Sequence, residues 1–322
     1  MQRRNLLKHL LPIATATLAG PIFAQKLSSK QIILVVPFPP GGNLDVVART
    51  LAPALERALG STVIVDNRAG AGGAIGVAYV ARAEPDGRTL LVSTPNALVV
   101  LPKMTKVLYS LSNFQPVGLA TTTALVVVVK NQSRFKNISA LLAYAQANPG
   151  QVTAGHAGLG TTNHVALLQL EEAAKIKLNL IPYKGSAPAL VDLIGGQIDF
   201  VVDQITSSGT QIQSNTIRAL AVMSTERDSM FMEVPTLRES GLIGFDATTA
   251  TGLLAPAGTP VSIVEFINTA LRNALNEAAV KVRLIALGSP GNASSPQDWN
   301  RMLQLEDQRA QALATAGKLK AD

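Results

Sequence analysis

The sequence has no cysteine, few histidines and few aromatic residues, and each shortage excludes a class of function. Without cysteine the protein has no disulfides, thiolate metal ligands, iron–sulfur clusters or cysteine nucleophiles. The three histidines, His9, His156 and His164, are too few for a histidine-rich zinc site, so we expect no bound metal. Aromatic residues make up 4% of the chain and charged residues 15%, with no dense run of lysine and arginine. Stacking platforms and basic stripes are therefore missing, and we expect no nucleic-acid partner.

What is present is enough apolar sequence for two globular lobes. The chain has 322 residues, of which 47% are hydrophobic, and roughly 150 residues form an average domain. The formal net charge is +7, and Arg3, Arg4 and Lys8 contribute to it from the first 24 residues, which contain no acid. The remainder therefore carries only a mild positive surplus.

The N-terminus has the pattern of a secretory signal peptide over residues 1–24. Residues 1–8 are basic, residues 10–23 are almost wholly apolar or small, and Ala24 offers a small residue for cleavage. The pair Arg3-Arg4 also resembles a twin-arginine export signal. We therefore expect a periplasmic protein exported by the Sec or the twin-arginine route; a retained N-terminal anchor is the alternative.

From residue 31 onward, short β-branched runs alternate with longer helical patterns, which is typical of βαβ units. The expected strands are 31–38, 61–67, 88–94, 124–129, 151–155, 178–183, 199–203 and 217–224. Helical patterns lie between them, and after Pro260 the pattern is helical only. Pro53 lies inside the helical pattern 44–59, so we expect a kink or break near Ala52. The sequence thus predicts an α/β protein of two doubly wound lobes.

Three glycine-rich loops each follow a strand and open a helix, at residues 37–45, 67–76 and 154–164. Such a loop presents free backbone N–H groups and the positive end of a helix, which suits an anion. Glycines can also serve only to make tight turns. Three such loops together favour a ligand site.

Two kinds of enzyme compete with that interpretation. The run from Gly70 to Gly76 nearly matches a dinucleotide fingerprint, but its last glycine is displaced by one residue and no acidic residue ends the next strand. An exported dinucleotide-binding oxidoreductase stays the alternative function. A hydrolase fits less well, because there is no G-x-S-x-G elbow and only His156 and His164 could act as a base. Asp203, at the end of an apolar strand, is either a helix cap or a group facing an interlobe cleft.

The same loops resemble the Bug-type solute receptors, the periplasmic substrate-binding proteins associated with tripartite tricarboxylate transporters. The resemblance covers nearly the whole chain after residue 24. The stretches that carry it are IILVVPFPPGGNLDVVAR, VIVDNRAGAGGAIG, PDGRTLLV, AGLGTTNH, IPYKGSAPALVDLIGGQIDFVVD, IRALAV, VPTLRESGLIGF and GLLAPAGTP. It implies a type II periplasmic-binding-protein fold that closes on a small carboxylated solute, without catalytic residues or cofactor.

By position, the resemblance also implies the ligand-binding residues and the division into lobes. Lobe one would be 25–124 and 223–322, and lobe two would be 125–222. Two crossover strands would join them, with residues 115–124 carrying the chain out of lobe one and residues 217–225 carrying it back. The implied ligand-binding residues are Phe38, Pro40, Gly41, Gly42, Asp45, Ser93, Thr94 and Asn96 in lobe one, and Gly160, Thr161, Thr162, His164 and Asp203 in lobe two. Asp203 would lie near the distal end of the ligand. The implied partners are transporter subunits in the membrane or the ectodomain of a sensor, and we expect a monomer.

The sequence departs from that family in two regions. In the first loop, Pro40, Asn43 and Leu44 stand where the family more usually has a small residue, a glycine and a hydroxyl residue. Ala250-Thr251 stand where it commonly has an aromatic pair. These departures leave the class intact and put the identity of the solute in doubt.

Overall fold

A computed structural model describes residues 31–319. The expected signal peptide, residues 1–24, lies outside the described residues. Among the described residues, no helix is long and apolar enough to cross a membrane.

The described chain forms nine strands, eleven α-helices and two short 3₁₀ turns. The strands are β1 Ile32–Val36, β2 Val63–Asn67, β3 Thr89–Ser93, β4 Phe114–Lys130, β5 Thr153–His156, β6 Asn179–Pro182, β7 Phe200–Gln204, β8 Ile217–Val222 and β9 Thr248–Pro256. The helices are α1 Asn43–Leu59, α2 Ala74–Ala81, α3 Pro95–Val99, α4 Leu101–Met104, α5 Ile138–Ala147, α6 Thr162–Ala174, α7 Ser186–Gly195, α8 Ile205–Gln213, α9 Val261–Asn276, α10 Ala278–Ile285 and α11 Pro296–Thr315, and the 3₁₀ turns are Ala71–Gly73 and Leu111–Asn113.

Two sheets share the long strand β4. In lobe one the order is β2-β1-β3-β9-β4, and in lobe two β4 pairs with β8 and with β7, which continues to β5 and β6. The β1–β2, β1–β3, β5–β6 and β5–β7 pairs are parallel, whereas every pair that involves β4 or β9 is antiparallel. Helices cover both faces of each sheet, so the α/β, doubly wound fold predicted from the sequence is confirmed.

Strand β4 carries the chain from lobe one into lobe two. Its residues up to Ala124 pair with β9, and from Leu125 onward it pairs with β7 and β8. The return crossing lies beside it, because the N–H of Leu125 donates to the carbonyl of Ala247 at 3.2 Å, just before β9 begins. The two lobes are therefore joined by a ribbon of two adjacent strands.

The position of the return differs from the one the sequence analysis used. Residues 223–247 were assigned to lobe one, but Leu237, Phe245 and Ala247 are buried in the lobe-two hydrophobic core beside Leu125. This packing favours a return at Thr248 over a return at residue 223. The lobe boundaries themselves stay a prediction.

The C-terminal helices pack on lobe one. Ile267 and Leu271 of α9 lie in the core between α1 and the sheet. Trp299 of α11 is fully buried on the opposite face. Its ring lies so close to β9 that a Cβ added at Gly252 would be 2.6 Å from it. Helix α1 continues through Pro53 without a break.

Candidate functional site

A cavity lies between the two lobes, where the loops after β1, β3, β5, β6 and β7 meet. The lobes touch around it, since a Cβ added at Gly72 of lobe one would be 2.4 Å from the carbonyl oxygen of Leu159 of lobe two. Lobe one lines the cavity with Phe38, Gly42, Asn43, Leu44, Thr94 and Ala97, and lobe two lines it with Ala157, Thr161, Thr162, Asn163, Ser186 and Gln204.

The N-termini of four helices converge on this cavity. The N-cap residues are Gly42 for α1, Thr161 for α6, Gly185 for α7 and Gln204 for α8. At Gly42, Gly185 and Gln204 no side chain caps the helix in the described structure. The N–H groups of a first helical turn have no partner within the helix, and the helix dipole places partial positive charge there. The cavity therefore presents backbone donors from both lobes.

No side chain lining the cavity in the described residues carries a formal charge. The acid nearest in sequence, Asp45, is buried and occupied by protein partners. Its carboxylate accepts hydrogen bonds from the Gly41 N–H, from Asn67 Nδ2 and from Arg49 Nε, each at 2.9 Å. Asp45 thus fixes the loop before α1 and leaves the binding surface to backbone and neutral groups.

Two stacked histidines support the lobe-two loop beneath the cavity. The rings of His156 and His164 are 4.5 Å apart and nearly parallel. His156 Nδ1 lies 3.1 Å from the carbonyl oxygen and 3.2 Å from the backbone nitrogen of Gly158, and the Gly160 N–H donates to His164 Nδ1 at 3.3 Å. Hydrogen bonds between the two rings and the backbone therefore hold the loop that precedes α6.

The hydroxyl of Thr161 is used within the protein. It accepts from the His164 N–H at 3.3 Å, which caps α6, and it donates to the carbonyl of Gly158 at 2.7 Å. Thr162, the first residue of α6, lines the cavity beside it. Among the described residues, the hydroxyl of Thr162 makes no hydrogen bond within the protein, so of the two predicted hydroxyls it is the one available to a ligand.

A neutral amide pair forms the lobe-two wall. Gln204 Nε2 donates to Asn163 Oδ1 at 3.1 Å, and Asn163 Nδ2 donates to the carbonyl of Val202 at 2.8 Å. The hydroxyl of Ser186 lies 3.4 Å from Gln204 Oε1. Both ends of each amide are therefore engaged, which holds this wall in one arrangement.

Asp203 is fully buried and does not line the cavity. Ser207 Oγ donates to its Oδ2 at 2.6 Å, and Oδ1 has no partner among the described residues. Burial raises the pKa of Asp203, and the hydrogen bond from Ser207 opposes that shift. Because neighbouring strand residues point to opposite faces, Gln204 faces the cavity where Asp203 does not.

The thirteen residues implied by the resemblance lie at and around this cavity. Those that line it are Phe38, Gly42, Thr94, Thr161 and Thr162. Pro40 and Gly41 are exposed at its rim. Asn96 lines an adjoining groove between α6 and α11. The remaining residues support the site from within the lobes, and they are Asp45, Ser93, Gly160, His164 and Asp203.

Several lining residues were not singled out by the sequence analysis as ligand contacts. Asn43 and Asn163 stand one residue from predicted contacts, within the same glycine-rich loops, so their positions carried a usable signal. Ser186 and Gln204 open α7 and α8. The sequence signal for Ser186 and Gln204 was weaker, because only the tertiary fold brings these helix starts next to the loops of lobe one.

The structure offers no support for the dinucleotide alternative. Gly72 of the loop after β2 lies against Leu159 of the other lobe, and Gly76 packs on Pro37 at a distance that leaves no room for a Cβ. The glycines of that loop thus serve close packing. Among residues 31–319 there is also no group of three or more histidine and acidic side chains suited to a metal ion.

Comparison with known proteins agrees with this geometry. A sequence model of the tripartite tricarboxylate transporter family receptor matches residues 47–319. A protein from Pseudomonas sp. strain P51, encoded between tcbD and tcbE, is 39% identical over 97% of this chain and 95% of its own length. BugT of Bordetella pertussis is 38% identical over 96% of each chain.

Solved structures show the same fold. The periplasmic binding protein BugD superposes with a TM-score of 0.86 at 34% identity, covering 91% of this chain and 99% of BugD. MatC of Rhodopseudomonas palustris with bound malate gives a TM-score of 0.85 at 32% identity, over 89% of this chain and 99% of MatC. An R. palustris protein with adipate gives a TM-score of 0.85 at 30% identity, covering 89% of this chain and 97% of that protein. The resemblance seen in the sequence is confirmed, and this chain belongs to the tripartite tricarboxylate transporter receptor family.

Proposed function

We propose that this protein is a periplasmic receptor that binds a small carboxylated organic solute in the interlobe cavity, for uptake by a tripartite tricarboxylate-type transporter or for sensing. The observation that carries the proposal is the convergence of four helix N-termini on a cavity with no charged side chain. The malate and adipate held by two structural neighbours support a carboxylate as the solute.

The number of donors is sufficient for useful affinity. Hydrogen bonds to a charged group contribute about 1.5–3 kcal/mol each, and a micromolar dissociation constant corresponds to about 8 kcal/mol. Four to six donors, roughly, meet that requirement after the costs of ordering and closure are subtracted. The first turns of α1, α6, α7 and α8, with the hydroxyl of Thr162, offer at least this many.

Binding and closure are coupled because each lobe supplies part of the site. Gly42 and Thr94 of lobe one face Thr162 and Ser186 of lobe two across the cavity. A solute that contacts both sets stabilises the arrangement in which the lobes touch. The closed form is then the one that transporter subunits, or a sensor ectodomain, recognise. No covalent step is needed, so we propose a carrier and not an enzyme. A monomer suffices for binding, because one chain supplies both walls of the cavity.

A periplasmic location follows from the family and from the N-terminal sequence. BugD is a periplasmic binding protein. The basic and apolar pattern of residues 1–24 supports export by the Sec or twin-arginine route.

A thermal-shift screen with carboxylates and their matched amides tests the proposal. Succinate, glutarate, malate and adipate are compared with succinamide and glutaramide, which keep the carbon chain and remove the charge. A carboxylate that binds is expected to raise Tm by an amount that grows with its concentration, while its amide does not. Stabilisation by NADH or NADPH together with no response to any carboxylate would contradict the proposal and favour the oxidoreductase.

A further inference from the structure

The amide of Asn43 is held at one end only. Asn43 is the first residue of α1, lines the cavity and is 5% exposed. Its Nδ2 donates to the hydroxyl of Thr251 at 3.1 Å, and Thr251 is fully buried on β9. Its Oδ1 is buried and has no hydrogen-bond partner among the described residues.

Among the described residues that line the cavity, Asn43 is the one with a side-chain atom that is both buried and without a hydrogen-bond partner. The oxygens and nitrogens of Asn163 and Gln204 have partners within the protein. The other buried side-chain atoms without a partner belong to Thr121, Asp203, Ser289 and Trp299, and none of these residues lines the cavity. A buried carbonyl oxygen without a donor is unfavourable, so at a binding site it indicates a group that the ligand completes.

The position of Asn43 indicates which part of the ligand would donate a hydrogen bond to Oδ1. Its backbone belongs to the first turn of α1, one of the four helix starts that would hold the carboxylate. A ligand group that reaches Oδ1 therefore lies close to the anchored carboxylate. Because Nδ2 is fixed by Thr251, the free end of the amide is an acceptor.

We propose that Asn43 is a specificity-determining residue whose Oδ1 accepts a hydrogen bond from a hydroxyl next to the bound carboxylate, so that the receptor prefers 2-hydroxycarboxylates. This inference rests on the proposed function, since it takes a carboxylate as the anchored group. A plain methylene at the same carbon cannot donate and leaves Oδ1 unpaired. A keto oxygen there would place an acceptor against an acceptor.

Calorimetric titration with two matched series tests the preference. The wild-type protein is titrated with succinate and malate, and with glutarate, 2-hydroxyglutarate and 2-oxoglutarate. We expect the hydroxylated member of a series to bind roughly tenfold to a hundredfold more tightly than the unsubstituted one, as for one buried hydrogen bond made or left unmade. 2-Oxoglutarate is expected to bind most weakly in its series.

Two variants and a control show whether Asn43 is responsible. Asn43→Ala is expected to bring the ratio of hydroxylated to unsubstituted affinity close to one. Thr251→Val keeps the side-chain shape and removes the hydroxyl that orients the amide, so it is expected to reduce the ratio as well. Asn163→Ala, in the opposite wall, alters affinity for both members alike and keeps the ratio.

The outcomes separate this inference from the function it rests on. Equal binding of glutarate and 2-hydroxyglutarate by the wild-type protein, tighter binding of 2-oxoglutarate, or a preference that survives in Asn43→Ala overturns the role of Asn43 and leaves the carboxylate receptor standing. Absence of binding by every carboxylate overturns the proposed function itself.

Discussion

Gly185→Ala is expected to weaken solute binding without unfolding either lobe, because the added methyl group would collide with the opposite lobe. Gly185 precedes α7 in lobe two and faces Pro39 in the loop after β1 of lobe one. A Cβ at this position would lie 2.6 Å from Pro39 Cδ and 3.3 Å from Pro39 Cγ. In this variant the two lobes therefore cannot come as close together at this point as they do in the wild-type structure.

The size of the effect follows from these distances. Carbon atoms pack at about 3.5–4.0 Å, so the contact must open by roughly 1 Å. Overpacking of this kind costs about 1–3 kcal/mol, which corresponds to a roughly 5- to 150-fold loss of affinity when the penalty falls on the closed form alone. Backbone strain adds nothing, since the φ angle of 170° at Gly185 is ordinary extended backbone. Alanine is a poorer N-cap than glycine, so a small loss of stability, under about 1 kcal/mol, is expected as well.

Calorimetry with a carboxylate identified in the thermal-shift screen measures the loss, and two further variants locate its cause. Gly195→Ala makes the same chemical change at the exposed end of the same helix, where no atom comes closer than 3.9 Å, and should leave affinity unchanged. Pro39→Ala removes Cγ and Cδ, so the double variant with Gly185→Ala should recover most of the affinity lost by Gly185→Ala alone.

Small-angle X-ray scattering adds a direct view of closure. With saturating solute, the Gly185→Ala protein should keep a larger radius of gyration than the wild type. Wild-type affinity in Gly185→Ala, or a loss that Pro39→Ala fails to relieve, would refute the reasoning that closure brings these two loops into contact.

Three further predictions concern groups away from that contact. Thr162→Ala should weaken carboxylate binding severalfold to a hundredfold with little change in Tm. Thr161→Ala should instead lower the stability of the fold by about 1 kcal/mol through loss of the α6 cap. Similar thermal melts for the two variants would contradict these separate roles of the two hydroxyls. Burial raises the pKa of Asp203. The stability that its protonated form contributes is therefore full below about pH 4, the pKa of an ordinary aspartate, and is lost as the pH rises from there through the raised pKa of the folded state. Asp203→Asn should raise Tm more at pH 7 than at pH 4, and a pH-independent difference would count against this reasoning. Mass spectrometry of protein from the native host should find the chain without residues 1–24, and replacing Arg3 and Arg4 by lysine then separates the two export routes, because the twin-arginine route rejects that change.

The sequence predicted most of the strands, including residues 115–124 of β4 as a crossover strand, but missed β9. Both β4 and β9 carry residues that ordinarily weaken or end a strand, such as Pro116 and Gly118 in β4 and Gly252 in β9. The structure accommodates them through tertiary contacts. The β4–β9 register shifts between Pro116 and Gly118. At Gly252 the ring of Trp299 packs so close to the backbone that a side chain would not fit. Such contacts join residues far apart in the chain and leave no local pattern.

The candidate site was predictable to the level of its loops and less so to the level of side chains. Glycine-rich turns after strands locate the helix starts, which is why residues near Gly42 and Thr162 were found. Whether a side chain faces the cavity or the interior depends on its neighbours in space. The carboxylate of Asp45 accepts hydrogen bonds from Arg49 and Asn67 and is therefore not available to a ligand. Gln204 faces the cavity, whereas its neighbour Asp203 is buried.

A cavity wall without ionisable side chains has a consequence for a receptor outside the cytoplasm, where acidity follows the surroundings. The lining groups are backbone N–H, hydroxyl, amide and apolar groups, and none gains or loses a proton between about pH 4 and pH 9. The donors therefore stay the same while the medium acidifies or turns alkaline. A change of affinity with pH would therefore come from the solute or from ionisable groups behind the wall, such as Asp203, and not from the groups that line the cavity.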